Sequence, residues 1–273
     1  MPDAAFKDLC ADAGNPVALG RFWAGVLGLE LVALDGGDGG GGDHGDGDHG
    51  DGNHGGDHGG DGDHGDHGDH GDHGDARLDP PGGDPHRRIW VNTVPEPRTA
   101  KTRLHLDVRL PTYDPAPLVD LGATVVSEPG GDRDWWVLAD PEGTTFCAMG
   151  PHPYHKPPSV EAFELVVDSA DPWAQAQWWA AATGGEANRR EGAPWAWVER
   201  AAGFPWRYWV FTPVPEPKTV KNRWHWDVTL DVDTPEKLVA RGATVLREPG
   251  DEVGWWVLAD PEGNEFCAFR PES

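Results

Sequence analysis

An internal repeat constrains this chain more than any other feature. Val94-Pro95-Glu96-Pro97 recurs as Val214-Pro215-Glu216-Pro217, an offset of 120. Arg103–Asp107 (RLHLD) recurs as Arg223–Asp227 (RWHWD), and Trp135–Gly143 (WWVLADPEG) recurs unchanged as Trp255–Gly263. No gap is needed between Val94 and Cys147. Such self-similarity marks duplicated units, each of which buries a face against a neighbour. The front halves align at a second offset, 156, which brings Phe22-Trp23 onto Trp178-Trp179. The first repeat therefore carries extra residues, and one tract accounts for them. Gly36–Asp75 consists only of Gly, Asp, His and one Asn, with histidines at 44, 49, 54, 58, 64, 67, 70 and 73.

A finer repeat lies within the first. Asn15-Pro16, Asp114-Pro115, Asp171-Pro172 and Thr234-Pro235 each combine a capping residue with proline, and predict helices that stop at Gly28, Gly122, Gly184 and Gly242. Leu19, Phe22, Trp23 and Val26 form an apolar stripe on the first of them. Each helix follows one strand-like run and precedes others, separated by turns such as Asp140-Pro141-Glu142-Gly143. The pattern predicts an α+β fold of four βαβββ modules, paired into two domains. Residues 1–150 form the first, with the Gly/Asp/His insertion at 36–75. Residues 151–158 form a linker around Pro157-Pro158, and residues 159–273 the second domain. On this reading modules one and two close one cavity and modules three and four the other, so 159–273 folds alone.

Charge narrows the partners. A net charge of −25 argues against nucleic acid and anionic membranes. No apolar run reaches bilayer length. The sequence begins without the basic and apolar regions of a secretory signal. Three cysteines (Cys10, Cys147, Cys267) give no disulfide framework, so a reducing cytoplasm is the expected location.

The segments Asn15–Gly28, Val94–Asp107, Leu138–Ala148, Val214–Asp227 and Leu258–Ala268 resemble the glyoxalase-like branch of the vicinal oxygen chelate superfamily. The resemblance implies a small-molecule cavity. It leaves activity open, because the superfamily spans lyases, isomerases, ring-cleaving dioxygenases and non-catalytic binders. Its metal-using members draw ligands from the first strand of each module and from the last strand. Carried over, this gives Glu164, His225 and Cys267 in the second domain, and Asp8, His105 and Cys147 in the first. A fourth-strand ligand falls near Asn92 or Thr212. Glutamate, histidine and cysteine suit zinc better than magnesium. A buried cysteine that merely packs is the competing reading.

Strand alternation puts Arg223, His225 and Asp227 on one side and Trp224 and Trp226 on the other. The same holds for Arg103, His105 and Asp107. Such a set can hold a polar ligand, or consist of an Arg–Asp pair bridging strands. Eleven of the 15 tryptophans fall in the second repeat. Trp195, Trp197, Trp206 and Trp209 are expected at a cavity rim, where they favour a flat ligand; sheet preference for aromatics explains them equally. The expected function is therefore small-molecule binding, best formed in the second domain. A divalent-metal-dependent enzyme is the rival, and a first domain kept only for packing is a third reading.

The Gly36–Asp75 tract has nothing apolar to bury and is expected to be a disordered hairpin loop. Its histidines and aspartates can take up Zn or Ni loosely. Replacing it by a short turn should change stability by only about 1 kcal/mol, since closure entropy varies slowly with loop length. Denaturant melts of the deletion variant check this, and a loss of several kcal/mol would refute it.

Overall fold

The computed structural model describes residues 1–34, 74–251 and 253–271. The calls made on the Gly36–Asp75 tract fall almost wholly outside these residues. The first module comprises β1 (Ala4–Ala13), α1 (Pro16–Leu27), β2 (Glu30–Ala33), β3 (Ala76–Asp79) and β4 (Ile89–Thr93). The second comprises β5 (Leu104–Arg109), α2 (Ala116–Asp120), β6 (Thr124–Ser127), β7 (Trp135–Ala139) and β8 (Thr145–Met149). The third comprises β9 (Glu161–Ser169), α3 (Pro172–Thr183), β10 (Glu186–Arg189), β11 (Ala196–Glu199) and β12 (Tyr208–Pro213). The fourth comprises β13 (Trp224–Leu230), α4 (Glu236–Ala240), β14 (Thr244–Arg247), β15 (Trp256–Ala259) and β16 (Glu265–Phe269).

The long helices start and stop where capping chemistry dictates. Asn15 and Asp171 accept the Ala18 and Ala174 amides, and Gly28 and Gly184 close the helices at φ 66° and 69°, where a side chain would be strained. α2 and α4 are single turns of five residues. Each buries one anchor, Leu118 or Leu238, so nothing extends it. Among the described residues no helix is long and apolar enough to cross a membrane.

The sheets overturn the expected pairing of modules. Sheet A runs β14-β15-β16-β13-β1-β4-β3-β2, and sheet B runs β10-β11-β12-β9-β5-β8-β7-β6. Module one pairs with module four, and module two with module three. Each sheet is joined at its centre by an antiparallel pair, β1 with β13 and β5 with β9. The reason lies in the connections. Residues 94–103 and 214–223 separate β4 from β5 and β12 from β13. Ten extended residues reach about 33 Å, enough to pass from one sheet to the other. The two crossovers brace each other: Arg103 Nη1 donates to the Glu216 carbonyl at 2.9 Å, and Arg223 donates to the Glu96 carbonyl.

One continuous core lies between the sheets, with α1 and α3 inside it. Trp23 of α1 packs on Phe146 of sheet B and Trp224 of sheet A, with ring centroids 5.1 and 5.5 Å apart. Trp179 of α3 meets Trp209 of sheet B and Trp226 of sheet A at 4.7 and 5.0 Å. Trp209 is thus fully buried core and lines no cavity, contrary to expectation. Trp206 packs on the edge of this core and also borders a cleft, in line with the rim position expected for it. Large rings are needed here because two helices must be wedged between two sheets.

The pairing changes the expected behaviour of residues 159–273. A monomer of this fragment would leave β9 and β13 without their central partners. It should fold only as a dimer, in which the third module of one copy pairs with the fourth of the other. Its melting midpoint should then rise with protein concentration. A concentration-independent, monomeric melt would contradict this.

Candidate functional site

The outer face of each sheet carries a polar centre at the same place, where the central pair meets the last strand. In sheet A, Cys10 lies opposite His225, and Asp227 lies beside Cys267. Asp8, two residues before Cys10, shares its face, and a register shift between Phe6 and Leu9 turns Phe6 into the core. Cys10, His225 and Asp227 each offer a ligand-type atom, all within 4.8 Å of one another. Cys10 Sγ donates to Asp227 Oδ2 at 3.5 Å. Asp8 Oδ2 accepts from Lys7 Nζ at 2.7 Å and Trp90 Nε1 at 3.1 Å. The Lys7 ammonium also sits 4.6 Å from the Phe269 ring, over the centre.

In sheet B, His105, Asp107 and Cys147 form the equivalent group. Asp107 Oδ1 accepts the Cys147 backbone amide at 2.7 Å and lies 3.4 Å from His105 Nε2. Glu164 is paired with Asp107 across the central strands, and Tyr208 with Glu164. A cleft of about 680 Å³ opens here, lined by Glu164, Arg109, Phe163, Met149, Tyr208 and Trp206 among others. That is within the usual range for a small-molecule site. The Arg109 guanidinium lies 4.3 Å from the Phe163 ring and donates to the Gly150 carbonyl at 3.1 Å. Arg207 lies 5.0 Å from the Tyr208 ring. Among the described residues, neither arginine is ion-paired with a carboxylate.

The sets carried over from the family pattern are therefore not the sets that form. Glu164 is on sheet B, while His225 and Cys267 are on sheet A. Asp8 is on sheet A, while His105 and Cys147 are on sheet B. The partners have exchanged because modules pair across the repeats. Asn92 and Thr212 pair with Asp12 and Asp168 and belong to neither group. Arg103 and Arg223 point their guanidiniums at the crossovers, where they line a small cavity of about 110 Å³ away from both polar centres. Trp197 and Trp195 are half-buried and pack on each other, with Trp197 Nε1 bonded to Glu199. Trp224 and Trp226 are core, as alternation predicts. Cys10, Lys7, Arg109, Phe163 and Tyr208 had not been singled out. Cys10 was within reach, since it shares a face with Asp8 two residues away.

Burial sets the electrostatics. It pushes Glu164 up from 4.5 to about 7, against the opposing charge of Arg109. It holds His105 down at about 4, helped by Lys101, so the imidazole is neutral near pH 7. Burial and then the charge of Glu164 raise Asp107. Burial, followed by the Asp227 charge, raises the Cys10 thiol, and Asp227 is itself raised by burial and then Asp8.

The donor chemistry of both centres fits a borderline-soft divalent cation: a thiol, an imidazole and a carboxylate converge. They differ in what is already satisfied. In sheet A, Asp8 Oδ1, Asp227 Oδ1 and His225 Nδ1 are buried without a hydrogen-bond partner. No ligand-type atom of the sheet B centre is in that condition among the described residues.

The sequence signature of the glyoxalase-like domain matches residues 8–149 and 164–269. No curated protein matches the chain by sequence. Among solved structures, glyoxalase I from Zea mays superposes with a TM-score of 0.56 at 10% identity, covering 97% of this chain and 92% of that one. A putative dioxygenase from Bacillus subtilis superposes with a TM-score of 0.60 at 13% identity, covering 100% and 87%. At such identities the likeness is one of fold.

Glu164 yields a pH-dependent stability. Its proton is bound more tightly in the folded state, so the contribution is complete below about pH 4.5 and is lost as pH rises through about 7. Glu164→Gln should match the parent at pH 5 and exceed its stability at pH 8 by roughly 2–3 kcal/mol. Urea melts at the two pH values measure this, and equal differences at both would refute it.

Proposed function

The chain belongs to the glyoxalase-like domain family, and we propose that it binds a small anion with a flat or apolar body in the cleft over sheet B. The carrying observation is the company kept by Arg109 and Arg207. Both guanidiniums lie over aromatic rings in a cleft of about 680 Å³, and among the described residues neither makes an ion pair with a carboxylate, although Arg109 feels the charge of Glu164. In a chain of net charge −25 this cationic, aromatic-walled opening favours an anionic group at the arginines and an apolar body on Phe163 and Tyr208. Glu164, at the cleft floor and largely protonated below pH 7, adds a hydrogen-bond donor without adding negative charge. The cytoplasm suits this role, since the three free cysteines stay reduced there.

The same residue supports a second reading. A carboxyl that titrates near 7 is poised to take and return a proton from a bound substrate, with neutral His105 nearby as acceptor. On that reading the protein is an enzyme of proton transfer. A divalent cation on His105, Asp107 and Cys147 would supply a Lewis acid for an oxygen of the substrate.

Benzoate and neutral benzamide make a matched pair of probes for calorimetric titration. Benzoate should bind and benzamide should bind more weakly. Arg109→Ala should weaken benzoate about ten- to a hundredfold, as expected for a lost charge-assisted hydrogen bond. Equal affinity for the two probes, or no change in Arg109→Ala, would refute the anion reading. The parent should also lose affinity for benzoate above pH 7 while Glu164→Gln does not.

A further inference from the structure

The cavity of about 110 Å³ at the crossovers has a strongly cationic lining, in a chain of net charge −25. It holds Arg98, Lys101, Arg103, Lys221 and Arg223 against the carboxylates of Asp12 and Glu96. The two lysines are neutralised on the spot: Lys221 Nζ lies 2.6 Å from Asp12, and Lys101 Nζ 2.7 Å from Asp168. The three arginines are not. Among the described residues none of them is ion-paired, and each spends its guanidinium on backbone carbonyls. Arg103 donates to the Glu216 and Asp168 carbonyls at 2.9 and 3.4 Å, and Arg223 to the Glu96 carbonyl. Arg98 donates to the Glu142 and Ala100 carbonyls at 3.1 and 3.2 Å. A guanidinium has five N–H donors, so each arginine keeps some in reserve. Arg103 Nε and Arg223 Nη1 are buried and meet no acceptor in the protein. Carbonyls accept hydrogen bonds but carry no net charge. Three arginines therefore stand against Glu96 alone, an excess of two positive charges in a half-buried place, where an uncompensated charge is costly.

The other repeat shows how the chain neutralises such a cation when it does so itself. Lys218 stands 120 residues after Arg98, and its ammonium lies 2.6 Å from Glu265. The residue matching Glu265 is Thr145, which carries no charge. Arg98 lies instead against the neighbouring turn, so close that a Cβ on Gly143 would come within 2.6 Å of Nη2. We propose that the cavity between the crossovers binds a small tetrahedral oxyanion of the phosphate or sulfate class, held by Arg98, Arg103 and Arg223. Its two negative charges match the excess of two, and planar guanidiniums suit the edges of an oxyanion. Size selects the free anion. The cavity exceeds what a water needs and falls well short of the roughly 300–1,000 Å³ of an organic-ligand site. Its place gives the anion a job. Arg98 and Arg103 belong to one crossover and Arg223 to the other, so the anion ties together the two connections that commit module one to module four. The site shares no residue with the cleft over sheet B or with either polar centre.

Inorganic phosphate is the probe, titrated calorimetrically into the full chain at pH 8 against sodium chloride of equal ionic strength. Phosphate is doubly charged there and histidine neutral, so the Gly/Asp/His tract offers no cation. One phosphate should bind per chain, and the melting temperature should rise with phosphate and not with chloride. Sulfate should act as phosphate does. Arg98→Gln should weaken phosphate about ten- to a hundredfold, as expected for lost charge-assisted hydrogen bonds. Thr145→Glu supplies the carboxylate that the other repeat carries and leaves every arginine in place. It should weaken phosphate to a similar degree, and it carries the test where Arg98→Gln does not fold. Arg109→Ala should bind phosphate as the parent does. Stabilisation by chloride equal to that by phosphate, or parental affinity in both Arg98→Gln and Thr145→Glu, would overturn the proposal. Loss of phosphate binding in Arg109→Ala would also overturn it, by placing the anion in the cleft over sheet B.

Discussion

Everything distinctive in this molecule depends on two antiparallel strand pairs, β1 with β13 and β5 with β9. They are the only seams at which one module is hydrogen-bonded into the sheet of another among the described residues. The pairing sets which chemistry meets which. Because Cys10 faces His225, the N-terminal and C-terminal parts of the chain share one polar centre. Because Glu164 faces Asp107, the two middle modules share the other. A slip by one residue would turn each polar row into the core and each tryptophan out of it. The buried side chains of Trp224, Trp226 and Leu165 therefore fix the register as firmly as the hydrogen bonds do.

Beyond the shared core, the turn that recurs unchanged in both repeats ties each sheet to a helix of the other. Asp140 Oδ1 accepts the Glu142 and Thr144 amides and so builds its own turn, while Oδ2 accepts Trp23 Nε1 at 3.3 Å. Glu142 then reaches the Asn15 amide at the start of α1. Asp260, Trp179 and Glu262 repeat the arrangement on α3, with Ser169, Ala170 and Asp171 as donors. In both cases the turn belongs to one sheet and the helix to the module of the other. Modules adjacent in sequence are thus joined through helix ends, and modules distant in sequence through strands. The carboxylates also sit where the positive end of a helix favours them.

This division explains which part of the architecture was legible in the sequence. Helix caps, strand alternation and turns are local, and Asn15, Asp171, Gly28, Gly184 and the WWVLADPEG turn all took the structure their chemistry predicts. Four βαβββ modules followed directly. Their pairing did not, because it is decided by the reach of residues 94–103 and 214–223 and by which apolar faces fit around α1 and α3. Both are properties of the assembled core. Every site call inherited that uncertainty. His105, His225, Cys147, Cys267, Asp8 and Glu164 do sit at the polar centres, yet in exchanged company. Trp209 failed for a related reason: composition shows an aromatic excess but not which sheet face it occupies.

The two centres then diverged through single side chains. Phe163 offers an aromatic wall and no charge, so the space above Glu164 stays open and Arg109 lies over the ring. Lys7, at the matching position, places its ammonium on Asp8 and over the Phe269 ring, and so covers the sheet A centre. An ammonium bonded to a buried carboxylate is hard to displace, since leaving it would strand an unpaired charge. A neutral ring over a half-buried carboxyl carries no such penalty. Duplication therefore supplied two copies of one polar centre, and the choice between lysine and phenylalanine at one position separates the copy suited to permanent closure from the copy that can admit and release a ligand.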